Sequence, residues 1–126
     1  MSVLKVTGQV ISFGQKDFSR RMTNFPDVFK EATGEQLVPG TLNVDVQKSI
    51  LIREHFRIQG SRINEPQQDL LFEVCRINGS IWGYRIRPYH VLTGTGGHGD
   101  HIIEITSATM IPDASPGSPV TIEFFR

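Results

Sequence analysis

The residues best suited to chemistry lie in Pro39-Gly40-Thr41-Leu42-Asn43-Val44. Pro-Gly fixes a turn, and a strand leaving it carries the Thr41 hydroxyl and the Asn43 amide on one face, because strand side chains alternate. Oxygens of this kind suit a hard cation such as Mg²⁺, which keeps several waters and leans on substrate phosphates. The same pattern also describes a turn into a half-exposed strand whose polar side meets water. Glu104 stands in His101-Ile102-Ile103-Glu104-Ile105, an acid in an otherwise apolar run. It either faces solvent or lines a cavity, where burial raises a carboxyl pKa and fits it for acid–base work.

Other segments carry weaker signals. Thr93-Gly94-Thr95-Gly96-Gly97 can wrap a phosphate with backbone N–H groups, or it is simply a hairpin loop. No Gly-Lys-Ser or Gly-Lys-Thr follows it, so it is not a Walker loop, and no parallel βαβ unit makes it a dinucleotide fingerprint. His98 and His101 lie three apart with His90 nearby, but zinc sites take three or four well-placed ligands, and these read as loop histidines. Cys75 alternates with Glu73 and Ile77 and reads as a small packed hydrophobe.

Positioning such residues requires strands. Thr41 to Val46 alternates strictly, with Leu42, Val44 and Val46 toward a core. Leu70–Ile77 and Ser80–Arg87 flank Asn78-Gly79, a pair that accepts the positive φ of a type I′ turn. His101–Thr106, Val120–Phe125 and Val3–Ser12 complete the strand signals, with Gly8 marking a bulge or a close backbone approach. One helix is expected at about Phe25 to Thr33: Asn24 as N-cap, Phe25, Val28, Phe29 and Ala32 on one stripe, Gly34 as stop. Ser49–His55 fits a short helix or a strand equally. Thr93–Asp100 and Pro112–Pro119 read as loops.

Composition bounds the rest. At 126 residues the chain makes one domain, 1–126, by the usual scale of about 150 residues each. Thirteen basic and 13 acidic residues cancel, which argues against non-specific nucleic-acid binding. A single cysteine excludes an internal disulfide. Without a signal-peptide pattern or a membrane-length apolar run, the expected setting is the cytoplasm, away from membranes. Twelve Gly and 7 Pro mark a mostly β chain of many turns.

Together these segments resemble the archaeal-type, CTP-dependent riboflavin kinases. Pro39-Gly40-Thr41-Leu42-Asn43-Val44 is the specific motif; the Phe-rich helix before it, Gly8-x-Val10-x-Ser12, the Asn78-Gly79 hairpin, His101 to Ile105, and the closing Pro116-Gly117-Ser118-Pro119-Val120-Thr121-Ile122 follow in matching order. The resemblance implies a six-stranded Greek-key barrel of the cradle-loop kind with one or two short helices. It implies phosphoryl transfer from CTP to riboflavin, giving FMN, with Thr41 and Asn43 holding Mg²⁺ and Glu104 meeting the flavin's ribityl chain as base. Thr93 or Thr95 would contact the flavin, and Gly14, Lys16, Thr109 and Met110 would meet the nucleotide. Two stretches depart from the family: Ser12 to Arg20 has one glycine where the phosphate loop has several, and Thr106 to Ile111 replaces its Ala-Pro-Val-x-Leu-Arg stretch. The alternative is a barrel that binds a flavin, nucleotide or phosphorylated ligand without turning it over. A sugar-phosphate or other small-molecule enzyme on the same barrel stays open, since fold does not fix function.

Overall fold

A computed structural model describes residues 1–13, 16–94, 99–112 and 114–126. In chain order the elements are β1 (Val3–Phe13), α1 (Lys16–Asn24), α2 (Pro26–Thr33), β2 (Leu42–Asp45), β3 (Phe56–Ile58), a 3₁₀ turn (Gly60–Ile63), β4 (Gln68–Ile77), β5 (Ile81–His90), β6 (Ile102–Ser107) and β7 (Pro119–Phe125). Six strands run β4-β5-β6-β2-β1-β7, and β7 closes onto β4 through Cys75–Phe124 and Ile77–Ile122. All pairings are antiparallel. Three consecutive strands, β4, β5 and β6, with β7 returning beside the first, make a Greek key. β3 is an extra strand on the far side of β4.

Strand alternation gives the wall two apolar faces. Val10, Leu42, Val44, Ile103, Ile105 and Phe124 fill the barrel. On the outer face Phe72 and Ile86 meet Phe18 and Met22 of α1 and Phe29 of α2. Burying a side chain of this size stabilises by about 1.5–3 kcal/mol, so the helices are held chiefly by this second core.

The two short helices match the expected one or two, but the first of them lies where no helix was expected. α1 follows directly on β1, at Lys16–Asn24. Phe18, Met22, Phe25 and Phe29 make one stripe at i, i+4, i+7 and i+11, continuous across both helices. Pro26 separates them: the residue before a proline is pushed out of the helical region, and Phe25 sits at φ −128°, ψ 50°. Phe25, not Asn24, is therefore the N-cap of α2, without a side-chain cap bond. Gly34 stops α2 as expected, at φ 78° with its N–H on the Lys30 carbonyl.

Ser49–His55 is neither helix nor strand, and the three-residue β3 that follows carries no sequence signal of its own. The expected hairpin forms: Asn78 and Gly79 both take positive φ (51° and 73°), and Ser80 N–H donates to the Ile77 carbonyl. Gly8 marks a close approach, since a Cβ there would overlap the Asp45 carbonyl; the β1 irregularity falls between Val10 and Ser12 instead. No helix among the described residues is long and apolar enough to cross a membrane.

Candidate functional site

The Pro39-Gly40 turn is built as its sequence demands. Gly40 has φ 104°, a region that side chains with a Cβ rarely enter. Its N–H points at the Met22 sulfur, 3.3 Å away, so α1 packs directly on the turn. Val38 N–H donates to the Ser107 carbonyl at 2.9 Å, and the Thr106 hydroxyl donates back to the Val38 carbonyl at 3.4 Å. The turn is thus pinned between α1 and the end of β6, and β2 starts from a fixed point.

Register then decides what meets what. Asn43 pairs with Glu104 across the β2–β6 ladder, and Glu104 pairs with Ile86 across β5–β6. Their neighbours Leu42, Val44, Ile103 and Ile105 point into the barrel, whereas Ile86 belongs to the outer core. Asn43 and Glu104 consequently lie on the outer face, side by side on adjacent strands and not across the barrel. Solvent does not reach them: Thr41 is 0% exposed, Asn43 4% and Glu104 2%. The half-exposed and solvent-facing alternatives are thereby overturned. Nothing local to β2 or β6 dictates this burial; it follows from the outer layer.

The shift in β1 sets Ser12 opposite Asn43, and Asn43 Nδ2 donates to Ser12 Oγ at 2.9 Å. The amide oxygen Oδ1 of Asn43 is left without a hydrogen-bond partner, as is Thr41 Oγ1. A buried polar atom in that condition costs about 1–3 kcal/mol, an expense most folds avoid. Two unsatisfied oxygens on one face match what Mg²⁺ takes from a protein: neutral or anionic oxygens and few of them. The residues fit the ion. Among the described residues no three His, Cys, Asp or Glu side chains cluster to hold a metal, so His90 and His101 form no such site there. His90 Nδ1 instead accepts a bond from Leu92 N–H.

A narrow cleft of about 10 Å³ lies at Leu42 and Ile105, and Thr41, Asn43 and Glu104 are not part of its lining. Val38, Pro39, Gly40 and Leu42 line one side, and Thr109, Met110 and Ile111 another. Two residues expected to meet the nucleotide, Thr109 and Met110, therefore share a cleft with the Pro-Gly turn. The Ser107 hydroxyl holds their loop, donating to the Thr109 carbonyl and accepting from Thr109 N–H. Thr93 lies exposed in the turn after β5, away from this cleft's lining. Gly14 and Thr95 fall outside the described residues, as does His98; Lys16 opens α1, its side chain undescribed.

Sequence reasoning missed a second buried polar group, inside the barrel. Glu73 and Arg85 are register partners on β4 and β5, 0% and 1% exposed. The signal was charge at inward positions alternating with Leu71, Cys75 and Ile77. Cys75 is buried as expected, and its thiol is pushed well above the usual range, by burial first and by Glu73 next.

Neither family models nor curated proteins give a match to this chain.

Proposed function

We propose that this barrel is a divergent riboflavin kinase, transferring a phosphoryl group from a nucleoside triphosphate, CTP by resemblance, to riboflavin. The observation that carries the reading is the pair of buried, partnerless oxygens, Thr41 Oγ1 and Asn43 Oδ1, on the face shared with Glu104. Mg²⁺, when bound, would neutralise charge on the nucleotide phosphates. Thr41 and Asn43 hold the ion, and the Gly40 turn fixes where they stand. Glu104 accepts the proton of the riboflavin 5′-hydroxyl as its oxygen bonds to the terminal phosphorus. The bond to the bridging oxygen breaks and the nucleoside diphosphate leaves. Such transfer asks mainly for positioning and charge stabilisation, which a rigid β-wall supplies. By the resemblance, Thr109 and Met110 would meet the nucleotide, and Thr93 or Thr95 the flavin.

The helix at Lys16–Asn24, placed after β1 where the riboflavin kinases carry a glycine-rich phosphate loop, favours a second reading: ligand binding without turnover. FMN formation followed by chromatography, with CTP and ATP as separate donors, decides between them. Turnover should appear with Mg²⁺ and fall about 10²–10³-fold in Asn43→Leu, the usual loss for one electrostatic contact to the reacting phosphates. A wild-type protein that binds flavin and Mg²⁺-nucleotide yet forms no FMN would overturn the kinase reading.

A further inference from the structure

Within the barrel, on the opposite face of the wall from Thr41 and Asn43, three guanidinium groups gather at the end capped by the segment after β2. Glu73 is fully engaged: Arg126 donates to both carboxylate oxygens at 2.9 and 3.0 Å, and Arg53 N–H donates to Oε1 at 2.9 Å. Asp100 is engaged by Arg87 Nε at 3.0 Å. Arg85 alone is left over. Its Nη1 donates to the Ile50 carbonyl at 2.7 Å, and its Nη2, buried, has no partner. Among the described residues these three guanidinium groups face two carboxylates, Glu73 and Asp100, both already hydrogen-bonded by the other arginines. Burial and then the neighbouring Arg87 push the Arg85 guanidinium down to about 10, and Phe124 lies 5.9 Å beneath it.

We infer that this end of the barrel is a binding site for a small carboxylate, held by Arg85 Nη2. A buried guanidinium whose Nη2 has no hydrogen-bond partner is stabilised by a charge-assisted bond to an oxyanion, and carboxylate matches its planar donors. At 1% exposure Arg85 is sealed from solvent, so a ligand of formate or acetate dimensions, or the carboxylate tip of a longer acid, reaches Nη2 only when the covering segment moves aside. Entry is through the irregular segment covering the site, which is tied down by single bonds: Ile50 N–H to the Asp100 carbonyl, Arg126 to the Leu51 carbonyl and Arg53 N–H to Glu73.

The test is thermal unfolding of the full chain in sodium formate, acetate, phosphate or chloride at equal ionic strength, for the wild type and Arg85→Met. Formate or acetate should raise the wild-type midpoint saturably by several degrees, with no comparable rise in the variant. An equal rise with chloride, an equal rise in the variant, or no rise at all overturns the carboxylate site. Should Arg85→Met fail to fold, ¹⁵N spectra of wild-type guanidinium groups take its place. The Arg85 signals should move saturably with formate while those of Arg57 stay fixed; unmoved Arg85 signals overturn the proposal.

Discussion

Two polar groups are buried on opposite faces of one β-wall, and each has the opposite surplus. On the outer face Asn43 Nδ2 is satisfied by Ser12, and what remains over are acceptors, Thr41 Oγ1 and Asn43 Oδ1. Inside the barrel Glu73 collects donors from Arg126 and Arg53, and what remains over is a donor, Arg85 Nη2. The first surplus consists of neutral oxygens, at about 1–3 kcal/mol each; the second belongs to a charge whose removal from water costs several kcal/mol more. A wall of this kind can hold a cation on one side and an anion on the other. Their energetic consequences on mutation should differ accordingly.

The largest effect is expected inside. Glu73→Ala strips Arg126 of its bidentate partner and removes the carboxylate that faces buried Arg85 across the β4–β5 ladder. A loss of about 3–5 kcal/mol in urea unfolding should result. A loss below 1 kcal/mol would mean that the interior charges are not coupled. Next comes Gly40→Ala on the outer side. At φ 104° the added Cβ strains the turn, and stability should drop by about 1–3 kcal/mol. An unchanged unfolding midpoint would show that the turn does not hold Thr41 in place.

Tyr84 supplies a satisfied polar group on the outer face as reference. Its hydroxyl reaches the Thr33 carbonyl at 3.2 Å and Glu35 Oε2 at 3.1 Å. Tyr84→Phe should cost about 1 kcal/mol at neutral pH. Burial first, then the bond to Glu35, raise the phenol from its ordinary 10.0 to about 12. The folded chain thus holds this proton more tightly, so the stabilisation is complete below pH 10.0 and fades as pH rises toward about 12. The wild type should lose more stability than Tyr84→Phe across that window, measured by urea unfolding at each pH. Equal losses would remove the phenol from the balance. The smallest effect is expected for Asn43→Leu, within about 1 kcal/mol of wild type, because an apolar group of similar size replaces an unsatisfied acceptor. Ser12 is exposed and finds water instead. A loss of several kcal/mol would show the amide to be structural, and would break the contrast with Glu73.

Much of this architecture was readable from local pattern. The alternation of Leu42, Val44 and Val46 gave the barrel-facing side, and Asn78-Gly79 gave the hairpin, because both depend on neighbours in sequence. α1 is hard to read locally although Phe18, Met22, Phe25 and Phe29 carry a helical period, since Pro26 splits that stripe into two helices of 9 and 8 residues. The burial of Asn43 and Glu104 was beyond local reading: it needs α1 and α2 folded over the wall's outer face. The pairing of Glu73 with Arg85 likewise depends on register between two strands, which the hairpin turn sets but composition does not reveal.

Closure of the barrel has one more consequence, for self-association. A strand with an unpaired side offers a row of N–H and C=O groups onto which another chain can zip, and natural sheets blunt such edges with short length and charge. A closed wall has none to offer. Among the described strands β3 alone stands at the end of the order, and it is three residues long. Its central residue, Arg57, is fastened to Glu54 at 2.6 Å and to Asp69 at 2.9 Å, which keeps fixed charge along that margin. Among the described residues, templated strand addition from the native state therefore has a single narrow point of entry, and that point carries charge.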